Sequence, residues 1–264
     1  MPVDLRASRL PLLTRCSGPA YLPTEEDTSE NLEKANAWGH MVHHWKETGE
    51  IDGPDARTAN AFRKAIKLSS IDRLAEWPSG GVHEEPIAVR VDGTRVVLSQ
   101  RSTEFKELLS LDGWITGTDD FHWRLVDGEL WIDDLKTGKW YTDPETGGNR
   151  YPQDVRSAQL KLYALAIAVL LDYTGVVHVS LTHWPRLPLE LRHAKPVRYW
   201  TEYTTDELQA FWGELETLYA TILKGREGVY ALSPGDHCRF CPSRTNCLVA
   251  QEPEPTVYNH YRRN

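Results

Sequence analysis

Two runs of strand-forming residues, Gly113 to Leu125 and Leu130 to Leu135, flank the tetrapeptide Val126-Asp127-Gly128-Glu129. An Asp-Gly pair between such runs is a strong short-range signal for a β-hairpin. A chain with this feature must build a sheet around the hairpin, and residues far from the turn on each strand must then meet. Asp120 falls near the end of the first strand, with Asp134 and Lys136 at the end of the second. Asp134 and Lys136 are two apart, so an extended strand points them to the same face. Pairing through the turn would gather two carboxylates and one ammonium in a small site.

The rest of the chain gives this hairpin its surroundings. Apolar and aromatic residues at Leu32, Ala35, Trp38, Val42 and Trp45 recur at spacings of three and four, which predicts a helix over 30–48 closed by Gly49. A second helix is expected over 54–75, with Pro54 in its first turn. Ile87 to Val91 and Arg95 to Ser99 read as an earlier hairpin around Val-Asp-Gly-Thr. Further elements are expected as a helix over 158–173, strands over 176–184 and 197–203, and a helix over 205–224. This order predicts an α/β fold with a mixed central sheet flanked by helices.

At 264 residues the chain reads as one domain over 1–264. Within it, 1–80 form an N-terminal cysteine and helical part, and 81–225 the core. A Cys-rich segment covers 230–250 and a tail 251–264. The longest apolar stretch, Leu160 to Leu171, contains Lys161 and is too short to cross a bilayer, so no membrane association is expected. With no secretory signal pattern, a cytoplasmic location is expected. The net charge of −8 counts mildly against nucleic-acid binding. The charge is uneven, however: Arg186, Arg192, Lys195 and Arg198 face one acid, Glu190, between Val176 and Trp200.

Two carboxylates and a lysine suit phosphodiester hydrolysis. Carboxylate oxygens hold Mg²⁺ or Mn²⁺, the ion polarises a phosphate and acidifies a bound water, and lysine offsets charge developing on phosphorus. Taken alone, the trio fits a solvated strand end equally well. Gln159 and Tyr163 sit one helical turn apart, a spacing that by itself usually marks a helix surface beside a core edge. His43 could offer a neutral imidazole to a metal, although a lone helical histidine is more often structural. His40 and His44 share the i, i+4 spacing of a helical zinc site, but Met41 stands where the metalloprotease pattern needs Glu.

Taken together, these pieces resemble the RecB-like branch of the PD-(D/E)XK nucleases. The motifs are Gly39-x-x-x-His43, Gly117-x-x-Asp120, Asp134-Leu135-Lys136-Thr137-Gly138 and Gln159-x-x-x-Tyr163, in the family's order. The resemblance runs from about Ser8 to Cys247 and implies a restriction-endonuclease-like core. It further implies that His43, Asp120, Asp134 and the Leu135 carbonyl hold Mg²⁺ or Mn²⁺. Lys136 would be the catalytic lysine, and Gln159 and Tyr163 would orient substrate or catalytic groups. Glu85 is the expected match to a recurring family acid.

The four cysteines are Cys16, Cys238, Cys241 and Cys247. Three thiols clustered in a short polar segment of a cytosolic chain suggest a metal centre rather than disulfides, and four thiolates suit either zinc or an iron–sulfur cluster. One distant cysteine plus a C-terminal trio resembles the pattern of the AddB-type and Cas-four-type iron–sulfur exonucleases. Ser17 stands where that family often has proline. A [4Fe–4S] cluster joining the chain ends is therefore expected, with Zn²⁺ as the alternative.

Ten tryptophans are available for core packing or base stacking. Trp123, Trp131, Trp184 and Trp200 read mainly as core. Trp140-Tyr141 and Arg150 read as candidate DNA contacts beside a loop over 142–153. No Walker A motif occurs, so any unwinding would come from a partner. The expectation is a metal-dependent deoxyribonuclease, an exonuclease preferring single-stranded DNA or free ends, with some endonuclease activity not excluded. The resemblance would place it beside a helicase in phage recombination, DNA repair or CRISPR adaptation. The alternatives are a non-catalytic DNA-end-binding adaptor and a zinc-stabilised interaction protein.

Overall fold

The computed structural model describes residues 5–24, 30–53, 55–69, 77–99, 113–138, 155–185 and 197–250. Trp140, Tyr141, Arg150, Arg186, Arg192, Lys195 and the tail over 251–264 lie outside the described residues. Helices are α1 (Leu10–Leu13), α2 (Glu30–Thr48), α3 (Ala56–Ser69), α4 (Ala158–Leu170) and α5 (Thr205–Arg226). Strands are β1 (Val82–Arg90), β2 (Val97–Ser99), β3 (Trp114–Arg124), β4 (Leu130–Gly138), β5 (Val177–Pro185) and β6 (Val197–Tyr203). They form one sheet in the order β2-β1-β3-β4-β5-β6. The pair β4–β5 is parallel, and every other neighbouring pair is antiparallel. Such a parallel step needs a crossover, which α4 supplies.

Local chemistry accounts for the boundaries. Gly128, at φ +94°, occupies the turn between β3 and β4, where Leu125 N–H donates to the Glu129 carbonyl at 2.9 Å. A hairpin loop of this length takes glycine at its left-handed position. Gly49, at φ +81°, ends α2. Helix α4 stops near Leu171, before the expected residue 173, because Asp172 turns to φ +50°. Helix α5 opens with a capping box in which Thr204 and Glu207 exchange side-chain and backbone hydrogen bonds. Losing the Thr204 cap costs about 1 kcal/mol.

The sheet is sandwiched between two apolar layers. On one face, Ile87, Val89, Ile115, Leu130, Ile132, Val179 and Leu181 pack with α1, α4 and α5. Helix α4 is buried through most of its length because the sheet, α1 and α5 surround it. On the other face, Phe121, Trp123, Leu135 and Trp184 meet Trp38, Met41, Val42 and Trp45 of α2 and Phe62 of α3. The spacing of those α2 residues is the helical stripe read from the sequence.

Two strands change sides partway. In β3, Ile115 belongs to the α4 face but Phe121 and Trp123 belong to the α2 face, although all three are odd-numbered. In β1, Ile87 and Val89 belong to the α4 face while His83 packs on Phe121 and Trp77. The period-two alternation therefore slips by one in both strands at the same level. That level holds Glu84, whose φ of +48° departs from extended backbone, and Asp119-Asp120 across from it.

Candidate active site

The site lies where the central hairpin opens. Strands β3 and β4 pair from Arg124–Leu130 up to Phe121–Asp133, and β4 then continues against β5 alone. Beyond the last pair, the Asp120 carboxylate takes the Leu135 backbone N–H at 2.6 Å, so a side chain replaces the lost strand partner. This fork fixes Asp120 against the next segment of β4. Asp134 is almost wholly buried there, and Lys136 Nζ lies 2.7 Å from its Oδ2. Among the described residues, neither Asp134 oxygen receives a hydrogen bond of good geometry, which leaves a buried carboxylate held by an ion pair.

Helix α2 closes the other side. His43 Nδ1 lies 3.1 Å from Glu84 Oε1 and 3.8 Å from Asp120 Oδ1, and Nε2 lies 3.2 Å from the Leu135 carbonyl oxygen. The two motif glycines are explained by contact. A Cβ on Gly39 would sit 3.2 Å from Thr137 Oγ1, so glycine lets α2 approach the end of β4. A Cβ on Gly117 would lie 2.6 Å from Ala7 Cβ and 3.0 Å from the Tyr163 ring. Glycine there admits Tyr163 of α4 beneath the acids. Gln159 Nε2 donates to Tyr163 Oη at 3.0 Å.

The electrostatics are those of too many acids in one place. Asp120 is pushed up to about 8 by burial and by the charge of Asp134, against the pull of His43, Lys136 and the Leu135 N–H. Burial opposes a charge on His43, yet the Glu84 bond and the charges of Asp120, Glu84 and Asp134 raise it to about 9. Tyr163 is raised mainly by burial and then by Asp134, so its hydroxyl stays protonated. Each of these shifts is one that a bound cation would relieve.

The sequence-derived residues His43, Asp120, Asp134, Leu135 and Lys136 thus come together, and Gln159 and Tyr163 pair beneath them. Glu85 does not join them. It pairs with Asp119 across the strands and lines a small cavity with His122 and Ile167 on the α4 face. Its neighbour Glu84 takes the place instead. Glu84 falls between the pairs His83–Phe121 and Glu85–Asp119, opposite Asp120. Two consecutive acids gave no means of choosing between them, because the slip in alternation at Glu84 has no signature in the sequence. Among the described residues, His43, Glu84 and Asp120 are the group of three His, Cys, Asp or Glu side chains with ligand atoms all within 4.8 Å. They border an open cleft of about 590 Å³ with Gly39, His40, His44, Glu47 and Thr137.

The cysteines gather where the N-terminal segment meets the 3-10 turns after α5. Cys16 and Cys247 are buried, while Cys238 and Cys241 are half-buried, all as free thiols. Burial, followed by the proximity of Cys16, Cys238 and Cys247, raises the Cys241 thiol. The chain ends are also tied without the thiols. Ser17 Oγ donates to the Ala231 carbonyl at 3.0 Å, Asn246 Nδ2 donates to the Pro23 carbonyl at 3.2 Å, and Tyr21 stacks on Tyr230 at 5.6 Å.

Trp123 and Trp184 are core residues, Trp131 is half-buried, and Trp200 is 61% exposed. No helix among the described residues is long and apolar enough to cross a membrane.

Residues 5–248 match the family model of the PD-(D/E)XK nuclease superfamily. No curated protein matches the sequence. Similar solved structures include SSO0001, at 12% identity, covering 93% of this chain and 86% of that one with a TM-score of 0.41. A second, a candidate exonuclease from Eubacterium rectale, shows 14% identity, 95% and 90% coverage, and a TM-score of 0.48.

Proposed function

Because the chain belongs to the PD-(D/E)XK nuclease superfamily, we propose that it is a Mg²⁺- or Mn²⁺-dependent deoxyribonuclease acting from the ends of single-stranded DNA. The reading rests on one observation above the others: the Asp120 carboxylate, bound to Leu135 N–H in the fork, shares a cleft with His43 and Glu84, and the Asp134–Lys136 ion pair lies near enough for its charges to act on Asp120. The buried carboxylate of Asp134, met by the Lys136 ammonium, and the upward shifts of Asp120 and His43 fit a cation held there.

His43, Glu84, Asp120 and Asp134 would hold the metal, with the Leu135 carbonyl beside them. The ion supplies electrophilic polarisation of phosphate and acidification of water. The protein's own part is positional. Asp120 keeps its place through the Leu135 N–H. Lys136, 39% exposed at its side chain, reaches from Asp134 toward solvent, where it can hold the attacking water and offset charge on the phosphate oxygens. Tyr163 keeps its proton and, with Gln159, supports the floor beneath the acids.

The four thiols are assigned a structural [4Fe–4S] cluster. Cys241 lies near each of the other three, which supports a shared centre. The preference for single strands and free ends, and a place beside a helicase in recombination, repair or CRISPR adaptation, follow from the motif order and the cysteine pattern.

The test is degradation of end-labelled single-stranded DNA with Mn²⁺, wild type beside Lys136→Ala, using anaerobically purified protein whose absorbance spectrum is recorded. Cleavage that needs the metal and is lost in the variant supports the nuclease reading. Broad absorbance near about 400 nm supports the cluster. An intact, folded sample that cleaves no DNA with any divalent ion would instead favour an end-binding adaptor.

A further inference from the structure

Below the fork, on the α2 face, lies a buried polar network that the chemistry above does not use. Lys46 of α2 is 1% exposed, a depth that lysine seldom reaches. Its Nζ sits 4.6 Å from the centre of the Trp77 ring and 6.0 Å from that of Trp184. The Trp77 indole N–H donates to Asp133 Oδ2. Asp133 is fully buried and also accepts from the hydroxyls of Ser180 and Thr182, with Arg198 Nη2 at 3.6 Å. The network ends at the metal site on both sides: Lys46 lies one helical turn past His43, and Asp133 immediately precedes Asp134.

Apolar packing alone would hold α2 against the sheet but would not fix its rotation or its position along its axis. Hydrophobic attraction is non-directional, and Trp38, Met41, Val42 and Trp45 present a broad apolar stripe. A cation over a ring face and an N–H aimed at a carboxylate are directional. A buried cation is also costly to take out of water, so stability alone does not account for a lysine at this depth.

We propose that Lys46, Trp77 and Asp133 form a positioning link that sets His43 on α2 in register with Asp134 on β4, and so shapes the site for its divalent cation. Lys46 acts through Trp77 and touches no reacting atom. The inference rests on the metal-site reading given above.

The direction of the effect separates this role from simple electrostatics. Removing a positive charge near a cation site strengthens cation binding if charge is all that matters. Removing a positioning link weakens it. Mn²⁺ binding to the full-length protein would be measured by calorimetry, without DNA, for wild type, Lys46→Met, Trp77→Phe and Asp134→Asn, with thermal midpoints recorded in parallel. Trp77→Phe keeps a ring beneath Lys46, deletes the N–H to Asp133 and changes no charge. It also carries the test should Lys46→Met fail to fold. The expected result is Mn²⁺ affinity lowered about tenfold in both variants, the scale seen when groups supporting a metal ligand are removed. Wild-type or tighter Mn²⁺ binding in Lys46→Met and Trp77→Phe, with binding abolished in Asp134→Asn, would overturn this link and leave the metal site standing. If wild type binds no Mn²⁺, or Asp134→Asn binds as wild type does, the metal site itself is wrong and the link falls with it.

Discussion

The acidic fork and the cysteine clasp each gather side chains from distant parts of the chain, but by opposite means. The fork is built by the sheet. Its backbone positions are set by strand register and by the Leu135 N–H bond to Asp120, and its acids are crowded together before any ligand arrives. The clasp is built from short 3-10 turns over Asp236–Phe240, Arg244–Asn246 and Leu248–Ala250, tied to the N-terminal segment by a few side-chain bonds and one ring stack. The fork gives up stability to hold a reactive arrangement. The clasp has little core of its own, so its stability would depend on a centre held by its thiols.

This contrast breaks most sharply under Asp120→Asn. Asparagine keeps an oxygen for the Leu135 N–H but removes the ionisable carboxyl that would hold the metal. The DNA cleavage rate should fall by about 10² to 10³-fold, while the metal-free melting temperature stays level or rises. A large fall in melting temperature would mean that the fork is a structural element after all. Cys241→Ser should do the reverse, lowering the thermal midpoint by roughly 10 °C while the rate per folded molecule changes little. Calorimetry and active-site-normalised rates would separate the two, and an unchanged midpoint would remove the clasp's structural role.

A finer comparison sits inside the fork. Glu84→Gln should weaken Mn²⁺ binding about tenfold, whereas Glu85→Gln should leave it within about twofold. Equal effects would mean that the slip in β1 does not select between the two acids. The smallest effect is a pH trend in metal-free protein. Asp120 is neutral in the fold up to about 8 but ionises from 3.8 in an ordinary setting, so it withdraws stability as the pH climbs between those values. His43 stays protonated to about 9 against an ordinary 6.5, and withdraws stability across that window. Both act in the same direction. The midpoint with chelator should fall by roughly 5 °C between pH 5 and pH 9, and Mn²⁺ should restore most of it at the alkaline end. A midpoint that rises with pH would contradict the crowding of acids.

Much of this was legible in the residues because the determining signals are local. The Asp127-Gly128 turn fixes the central hairpin, the two-residue spacing of Asp134 and Lys136 fixes their common face, and the stripe Trp38, Val42, Trp45 fixes the buried side of α2. What escaped depends on partners far away in the chain. Glu84 reaches the site only because its backbone leaves the extended region opposite Asp120. Lys46 belongs to no motif of the sequence, and its burial follows from where Trp77 and Trp184 lie in the folded chain. The two motif glycines carry no chemistry of their own. Each leaves room for a neighbour that no local pattern names: Thr137 for Gly39, and Tyr163 for Gly117.

The clasp also sets an order on synthesis. Cys16 leaves the ribosome early, and the thiols it must join follow about 220 residues later. At the roughly 5 to 20 residues per second of translation, that gap lasts on the order of ten to forty seconds. During it, the nascent chain can pair β1, β2, β3 and β4, yet its first cysteine has no companions and Tyr21 has no Tyr230 to stack on. Closure of this joint therefore comes late, after the strands of the fork have had time to pair, and the acidic site can form before the clasp does.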